Sequence, residues 1–268
     1  MARQKTSQIT DVVGHIPYRL ALAGGWIDQP YVSKHLPSAP GSMVTVQVTP
    51  QFRFLDRSGI CGSTRRIATG MWGGEVPQGR DKMELVRELY RAENEGLAEP
   101  SGSQDMIGLV YPGVNRLDYD INHEGGYFPV HVESNNQPDV AAWFESMVYL
   151  VPVITRPEGY NPLGRQNFDT EWVARLGKTG QDCFEAIVAK DLANLGASFN
   201  ECMLCWQTIL PDVVDHPTIK MDLMELLKFY QDNYAGAMFS GCGGGYFYVA
   251  SETPVPGGFQ VKVRTELS

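Results

Sequence analysis

Three consecutive helical segments in the second half of the chain constrain its fold most. The stretches DTEWVARLGKTGQDCFEAIVAKD, LANLGASFNECMLCWQTI and KMDLMELLKFYQDNYAG carry apolar residues at three- and four-residue spacing, which is typical of amphipathic helices. Strand-like stretches precede and follow this block and do not alternate with it. The order of strands, helices and strands therefore indicates an α+β fold and not a chain of βαβ units.

Strand and helix patterns fill the rest of the chain. MVTVQVTPQFRFLD (43–56) alternates β-branched and polar residues and predicts a half-buried strand. RDKMELVRELYRAENEG (80–96) predicts a helix with Asp81 as its N-cap and Glu84 at capping-box spacing. PDVAAWFESM predicts a shorter helix, and the remaining predicted strands are GVNRLDYD, YFPVHVE, VYLVPVI, GYFYVAS and GFQVKVRTE. Pro, Gly and Asn are frequent in TRPEGYNPLGRQN, which favours two domains, 1–160 and 161–268.

Composition excludes several classes of protein. The 268 residues carry a net charge of −9, which argues against a nucleic-acid partner, and no apolar run is long enough for a membrane span. An anionic ligand would need local positive groups or backbone amides. The first twenty residues show no apolar secretory segment, so a cytoplasmic location is expected. Five scattered cysteines favour reduced thiols, and the Cys202-x-x-Cys205 pair lacks the further ligands that a zinc site needs.

Two glycine-containing stretches in the first part have the composition of ligand-binding loops. In PYRLALAGGWIDQP (17–30), Gly24 and Gly25 allow close backbone approach, and Asp28 offers acceptors for hydroxyl groups. A β-turn with an Asx cap is the alternative interpretation. SGICGSTRRIATGMW (58–72) places glycines and hydroxyls before a helix, where backbone amides can cradle an anion. It lacks the lysine of the P-loop consensus.

Two further stretches suggest catalysis and a closing loop. RAENEGLAEPSGSQDMIG (91–108) contains Glu93 and, twelve residues later, Asp105. One carboxylate of such a pair can orient and deprotonate a hydroxyl that attacks a phosphoryl group, and the other can hold Mg²⁺; a solvated helix end and an N-cap aspartate are the alternative. FSGCGGGYFYVAS (239–251) contains a glycine run that forms a hairpin, a packing contact or a backbone surface against a ligand.

Taken in order, these four stretches resemble the motifs of the GHMP kinase superfamily. RLALAGGWIDQP, GICGSTR, ENEGLAEPSGSQDM and MFSGCGGGYF are most similar to its sugar-kinase branch, which includes the heptose-phosphate, fucose and galactose kinases. The resemblance implies an N-terminal domain like domain 2 of ribosomal protein S5 and a ferredoxin-like C-terminal domain. It also implies a cytoplasmic ATP- and Mg²⁺-dependent enzyme, monomeric or homodimeric, that phosphorylates a sugar or sugar phosphate.

The resemblance assigns a role to each matched position. Asp105 matches the catalytic aspartate that orients or deprotonates the acceptor hydroxyl. Substrate binding falls to Arg19, Gly24, Gly25, Trp26 and Asp28. Nucleotide binding falls to Gly59, Cys61, Gly62, Ser63, Thr64 and Arg65. The Mg²⁺ ligands are Ser63, Thr64 and Glu93. The C-terminal glycine-rich loop comprises Ser240, Gly241, Cys242, Gly243 and Gly244. Specificity is assigned to Trp26, Gln29, Tyr31 and the segment 156–166.

The phosphate loop departs from the pattern of the superfamily. Ile60 and Cys61 stand where Gly-Leu is usual, and Arg65 and Arg66 replace small residues at the helix start. Met106 stands where Gln is usual. Two alternatives therefore stay open beside the sugar kinase: a non-catalytic sugar- or nucleotide-binding protein, and a kinase for a non-sugar alcohol.

Overall fold

A computed structural model describes residues 14–55 and 57–267. Most of the N-terminal stretch examined for a secretory segment lies outside these residues, as does Asp56 at the end of the predicted strand 43–56. Within the described residues, no helix combines the length and apolar character needed to cross a membrane.

The first part of the chain forms a four-stranded antiparallel sheet. Its strands lie in the order β1 (Tyr18–Ala21), β2 (Gly41–Val48), β3 (Val114–Tyr119) and β4 (His131–Asn135). Every residue of β2 is buried. This strand is shorter than predicted, because Pro50 has no backbone N–H to continue the ladder.

Helices cover this sheet and build most of the second part. They are α1 (Pro30–Ser33), α2 (Gly62–Trp72), α3 (Lys82–Asn94), α4 (Gln104–Val110), α5 (Pro138–Met147), α6 (Thr170–Ala189), α7 (Leu192–Ile209), α8 (Pro211–Val214) and α9 (Leu223–Asn233). The predicted cap of α3 is confirmed, since the Asp81 side chain accepts a hydrogen bond of 2.9 Å from the Glu84 amide. Asp169, Asp191 and Asp222 cap α6, α7 and α9 in the same way.

The second part contains a three-stranded antiparallel sheet in the order β5-β7-β6. Its strands are β5 (Val148–Pro152), β6 (Gly236–Phe239) and β7 (Tyr246–Ala250). The strand predicted at GFQVKVRTE was wrong, since this segment forms only isolated bridges, from Phe259 to Leu150 and from Val263 to Val48. It passes from the edge of one sheet to the end of a strand in the other, so it cannot pair continuously with either. The α+β class is confirmed.

The two sheets share packing elements. Helix α6 crosses β2 so closely that a Cβ atom at Gly180 would overlap the Ser42 carbonyl. Strand β5 precedes residue 160 yet pairs with β7. The division into domains 1–160 and 161–268 stays a prediction.

Candidate active site

A single cavity of about 1050 Å³ receives residues from all four motif stretches. Strand β1 with its following loop, the start of α2, the start of α4 and the glycine-rich loop between β6 and β7 form its walls. Most of the predicted site residues line it: Arg19, Gly25, Trp26, Asp28, Gly59, Cys61, Gly62, Ser63, Asp105, Ser240, Gly241 and Cys242. Motifs that lie more than 200 residues apart in sequence thus meet in one place.

The other predicted site residues lie outside the cavity lining: Gly24, Thr64, Arg65, Glu93, Gly243 and Gly244. Gly24 has a φ of +82°, and a Cβ atom there would overlap the Ser42 carbonyl, so this glycine serves packing on β2. Arg65 places its guanidinium over the Tyr18 ring, 4.4 Å from the ring centroid, and its Nε donates to the Ile16 carbonyl. The neighbouring Arg66 does line the cavity.

Asp105 stands in the first turn of α4, between two side chains from other motifs. Its carboxylate forms an ion pair with Arg19, whose side chain is buried in β1. The Thr64 hydroxyl donates to the other carboxylate oxygen at 3.4 Å. The Asp105 side chain keeps 28% of its surface exposed, on the cavity side. The carboxylate is therefore fixed by its partners and still accessible to a ligand hydroxyl.

Glu93, Ser63 and Thr64 come together beside Asp105. Burial raises the pKa of Glu93, and the nearby Thr64 hydroxyl, the charge of Arg19 and the Ser63 hydroxyl oppose that rise. Glu93 Oε2 is buried without a hydrogen-bond partner. No group of three or more His, Cys, Asp or Glu side chains suited to a metal occurs in the described part of the chain. One carboxylate with hydroxyl oxygens still fits Mg²⁺, which keeps water and phosphate oxygens among its ligands.

The phosphate-loop stretch ends at the N-terminus of α2. Cys61 precedes this helix in the left-handed conformation, with φ +70°, and no side chain caps the helix. Gly62 and Ser63, which carry the first amides of α2, line the cavity. The first amides of a helix have no partner within it and are suited to bind an anion. Five cationic side chains against three carboxylates line the cavity among the described residues: Arg19, Lys34, Arg57, Arg66 and Arg156 against Asp28, Glu99 and Asp105. A local excess of positive charge thus exists within an acidic chain.

Asp28 is completely buried and borders the cavity. One of its carboxylate oxygens accepts from Gln29 Nε2 at 3.1 Å, and the other has no partner. Burial raises the pKa of Asp28 to about 7, against the opposing charge of Arg19. A buried acceptor without a donor is costly by itself and is suited to a ligand hydroxyl.

The glycine-rich loop is fastened to two other motifs. Trp26 Nε1 donates to the Gly241 carbonyl at 2.8 Å, and the Ser240 hydroxyl donates to the Ser58 carbonyl at 2.6 Å. Gly241 has a φ of +89° and open space where a Cβ atom would stand. The loop therefore closes one wall of the cavity and leaves Gly241 accessible.

Comparison of the fold with solved structures gives consistent matches. The heptose 1-phosphate kinase of Bacteroides thetaiotaomicron aligns with a TM-score of 0.54 at 13% identity, over 92% of this chain and 95% of the other. A putative sugar kinase from Campylobacter jejuni aligns with a TM-score of 0.57 at 15% identity, over 93% of this chain and 94% of the other. Mevalonate kinase of Methanococcus jannaschii aligns with a TM-score of 0.58 at 10% identity, over 88% of this chain and 89% of the other. The chain has the GHMP kinase fold. No family model and no curated protein matches the sequence.

Within this GHMP fold, sequence reasoning gave no individual role to Arg156. Its Nε donates to the Gly243 carbonyl at 3.2 Å, and its Nη2 contacts the carbonyls of Ser240, Cys242 and Gly244 at 2.8 to 3.4 Å. The residue belongs to the segment 156–166 that was predicted to set specificity. Its carbonyl partners lie 84 to 88 residues away in sequence, so no local pattern indicated these contacts. The one available signal was the presence of an arginine in an irregular segment.

Cys242 occupies the centre of the glycine-rich loop in this GHMP fold. Its side chain is buried next to the Tyr160 hydroxyl, and burial raises the pKa of the thiol. The residue is therefore an uncharged part of the cavity wall.

Gly59 tests whether the phosphate loop and the glycine-rich loop must touch. It has a φ of +77°, and a Cβ atom there would overlap the Ser240 carbonyl. We expect Gly59→Ala to lower the free energy of unfolding by about 2–4 kcal/mol, measured by urea denaturation. Gly70→Ala in α2 is the control, since nothing lies within 4 Å of its Cβ position; it should stabilise by up to about 1 kcal/mol. Equal stabilities of Gly59→Ala and wild type would contradict the contact.

Proposed function

We propose that the protein is an ATP-dependent small-molecule kinase that transfers the γ-phosphate to a hydroxyl of a sugar or sugar phosphate. One observation carries the proposal: the Asp105 carboxylate, fixed by Arg19 and Thr64, shares a cavity with the start of α2 and with Asp28. A base, an anion-binding helix start and an acceptor for hydroxyls are the parts that phosphoryl transfer to an alcohol needs. The solved structures with this fold that are named above are also kinases by name.

Each residue then has a chemical task. Asp105 accepts the proton of the acceptor hydroxyl, and Arg19 holds the carboxylate in place. Asp28 accepts a hydrogen bond from another hydroxyl of the acceptor and so orients it. The amides at Gly62 to Thr64 donate to nucleotide phosphates. Glu93 with the Ser63 and Thr64 hydroxyls would hold Mg²⁺, which neutralises phosphate charge when bound.

A turnover screen tests the proposal. Purified protein with Mg-ATP and a panel of sugars, sugar phosphates and non-sugar alcohols should release ADP only with an acceptor present. A binding protein without catalysis would be stabilised by a sugar in a thermal-shift assay and release no ADP. ADP release with a non-sugar alcohol, and with no sugar or sugar phosphate, would support the kinase function and contradict the sugar as its substrate.

Removing the Glu93 charge should weaken the response to Mg²⁺. Because this carboxylate is the only charged group in the predicted ligand set, Glu93→Gln is expected to raise the Mg²⁺ concentration for half-maximal activity about 10-fold. A magnesium titration at saturating ATP measures this. Glu95→Gln changes an exposed carboxylate just beyond the same helix and should leave the titration unaltered. Coincident curves for Glu93→Gln and wild type would exclude Glu93 as a ligand.

A further inference from the structure

Two arginines in the cavity wall have no carboxylate partner among the described residues. Arg156 uses Nε and Nη2 on backbone carbonyls of the glycine-rich loop, and its Nη1 donates to no described residue. Arg57 Nη2 donates to the Pro157 carbonyl at 2.5 Å. Neither residue takes part in an ion pair of the described chain, whereas Arg19 in the same cavity pairs with Asp105.

These two arginines are neighbours. The Arg156 amide donates to the Arg57 carbonyl at 3.5 Å, and both side chains line the cavity. Two positive charges that line one cavity favour the binding of an anion there. Arginine guanidinium groups with free N–H donors match the geometry of a phosphate group.

The glycine-rich loop connects Arg156 to the predicted substrate segment, which favours the acceptor as the ligand of the pair. Arg156 is bound to the glycine-rich loop, and Trp26 of the predicted substrate segment is bound to Gly241 of the same loop. Of the predicted nucleotide residues, Gly59 also borders Arg156, since a Cβ atom at Gly59 would stand 2.6 Å from Arg156 Nη2. The first turn of α2 carries the other predicted phosphate-binding amides and Arg66, a further cavity-lining cation. The KM for ATP is therefore part of the test.

We propose that Arg57 and Arg156 form a subsite for a phosphate group carried by the acceptor. The inference rests on the proposed kinase function and narrows its substrate class to phosphorylated sugars or similar phosphorylated alcohols. In this arrangement the hydroxyl that becomes phosphorylated lies at Asp105, and the phosphate group that the acceptor already carries lies against the glycine-rich loop.

Two measurements test the subsite. Titration calorimetry follows inorganic phosphate binding at constant ionic strength, with the nucleotide site filled by Mg-AMP-PNP. Turnover assays compare kcat/KM for a phosphorylated sugar and for the same sugar without phosphate. Arg57→Gln is the main variant because Arg57 is exposed and its loss should not unfold the chain. Arg156→Lys keeps the charge and loses the planar donor arrangement. Arg53→Gln is the control, since Arg53 is exposed in the same loop and does not line the cavity.

Arg57→Gln should weaken phosphate binding and reduce the preference for the phosphorylated sugar about 10-fold each, with the KM for ATP within about twofold of wild type. Arg156→Lys should weaken phosphate binding in the same direction, and Arg53→Gln should change neither quantity. A raised KM for ATP with an unchanged acceptor preference would assign the arginines to the nucleotide and overturn the proposal. Unchanged phosphate binding in both variants would also overturn it. Phosphate binding is measured without turnover. A protein that binds phosphate through these arginines but transfers no phosphoryl group would refute the proposed kinase function and leave the phosphate subsite standing. Equal kcat/KM values of the wild-type protein for the phosphorylated and the unphosphorylated sugar would refute the phosphate subsite and leave the kinase function standing.

Discussion

Asp105→Asn is expected to lower kcat about 10³-fold while the dissociation constant of Mg-AMP-PNP changes little. The amide cannot accept the proton of the acceptor hydroxyl, and a general base contributes about 10² to 10⁴ to the rate. The nucleotide is expected to lie at the start of α2, so its binding does not depend on the Asp105 charge. Turnover assays and calorimetry on the same preparation measure the two effects.

The same substitution removes the partner of a buried arginine, so stability must be measured alongside activity. Arg19 has a side chain only 5% exposed, and loss of its ion pair should lower the melting temperature. Circular dichroism at the assay temperature separates lost chemistry from unfolding. Asp182→Asn alters an exposed aspartate that pairs with Lys178, and it should retain full activity. A folded Asp105→Asn variant that keeps a third of the wild-type kcat would show that Asp105 is not the base.

Asp28→Asn is expected to stabilise the protein above neutral pH and to impair acceptor binding. The pKa of Asp28 is about 7 in the folded state and 3.8 for the unperturbed group. Between these two values the folded state holds a proton that the unfolded state releases, so the contribution of Asp28 to stability falls as pH rises. It is lowest above about pH 7, where the loss is on the order of a few kcal/mol.

The measurement is the difference in unfolding free energy between Asp28→Asn and wild type from pH 4 to pH 8. The difference should be small near pH 4, grow in favour of the variant and level off above about pH 7. The KM for the acceptor should rise about 10-fold or more, since Asn loses one acceptor oxygen and the charge. A difference that stays constant with pH would mean that the pKa of Asp28 is the same in the folded and unfolded states. Asp182→Asn again serves as the control and should alter stability by less than about 1 kcal/mol.

The sequence alone was sufficient to predict the elements whose signals are local. The Asp81 cap, the helix PDVAAWFESM at 138–147 and the α+β order follow from spacing within one segment, and the structure confirms them. The grouping of the four motifs in one cavity followed from the resemblance in their order, and most of the predicted site residues line that cavity.

Features set by contacts distant in sequence were not predictable. Arg156 acts on carbonyls more than 80 residues away, and no local pattern encodes such a contact. The segment around Phe259 alternates like a strand, but the sheets that it reaches leave room for isolated bridges only. Arg65 and Arg66 are adjacent in sequence, yet one packs on Tyr18 and the other lines the cavity, because successive helix positions point in different directions.

The central claim is that this cavity transfers a phosphoryl group from ATP to an alcohol. ³¹P NMR of the protein with Mg-ATP and the acceptor panel measures this most directly. We expect the γ-phosphate signal of ATP to decrease as a phosphate-ester signal grows in equal amount, and only when an acceptor is present. An unchanged ATP signal with every acceptor, or growth of inorganic phosphate alone, would contradict the claim.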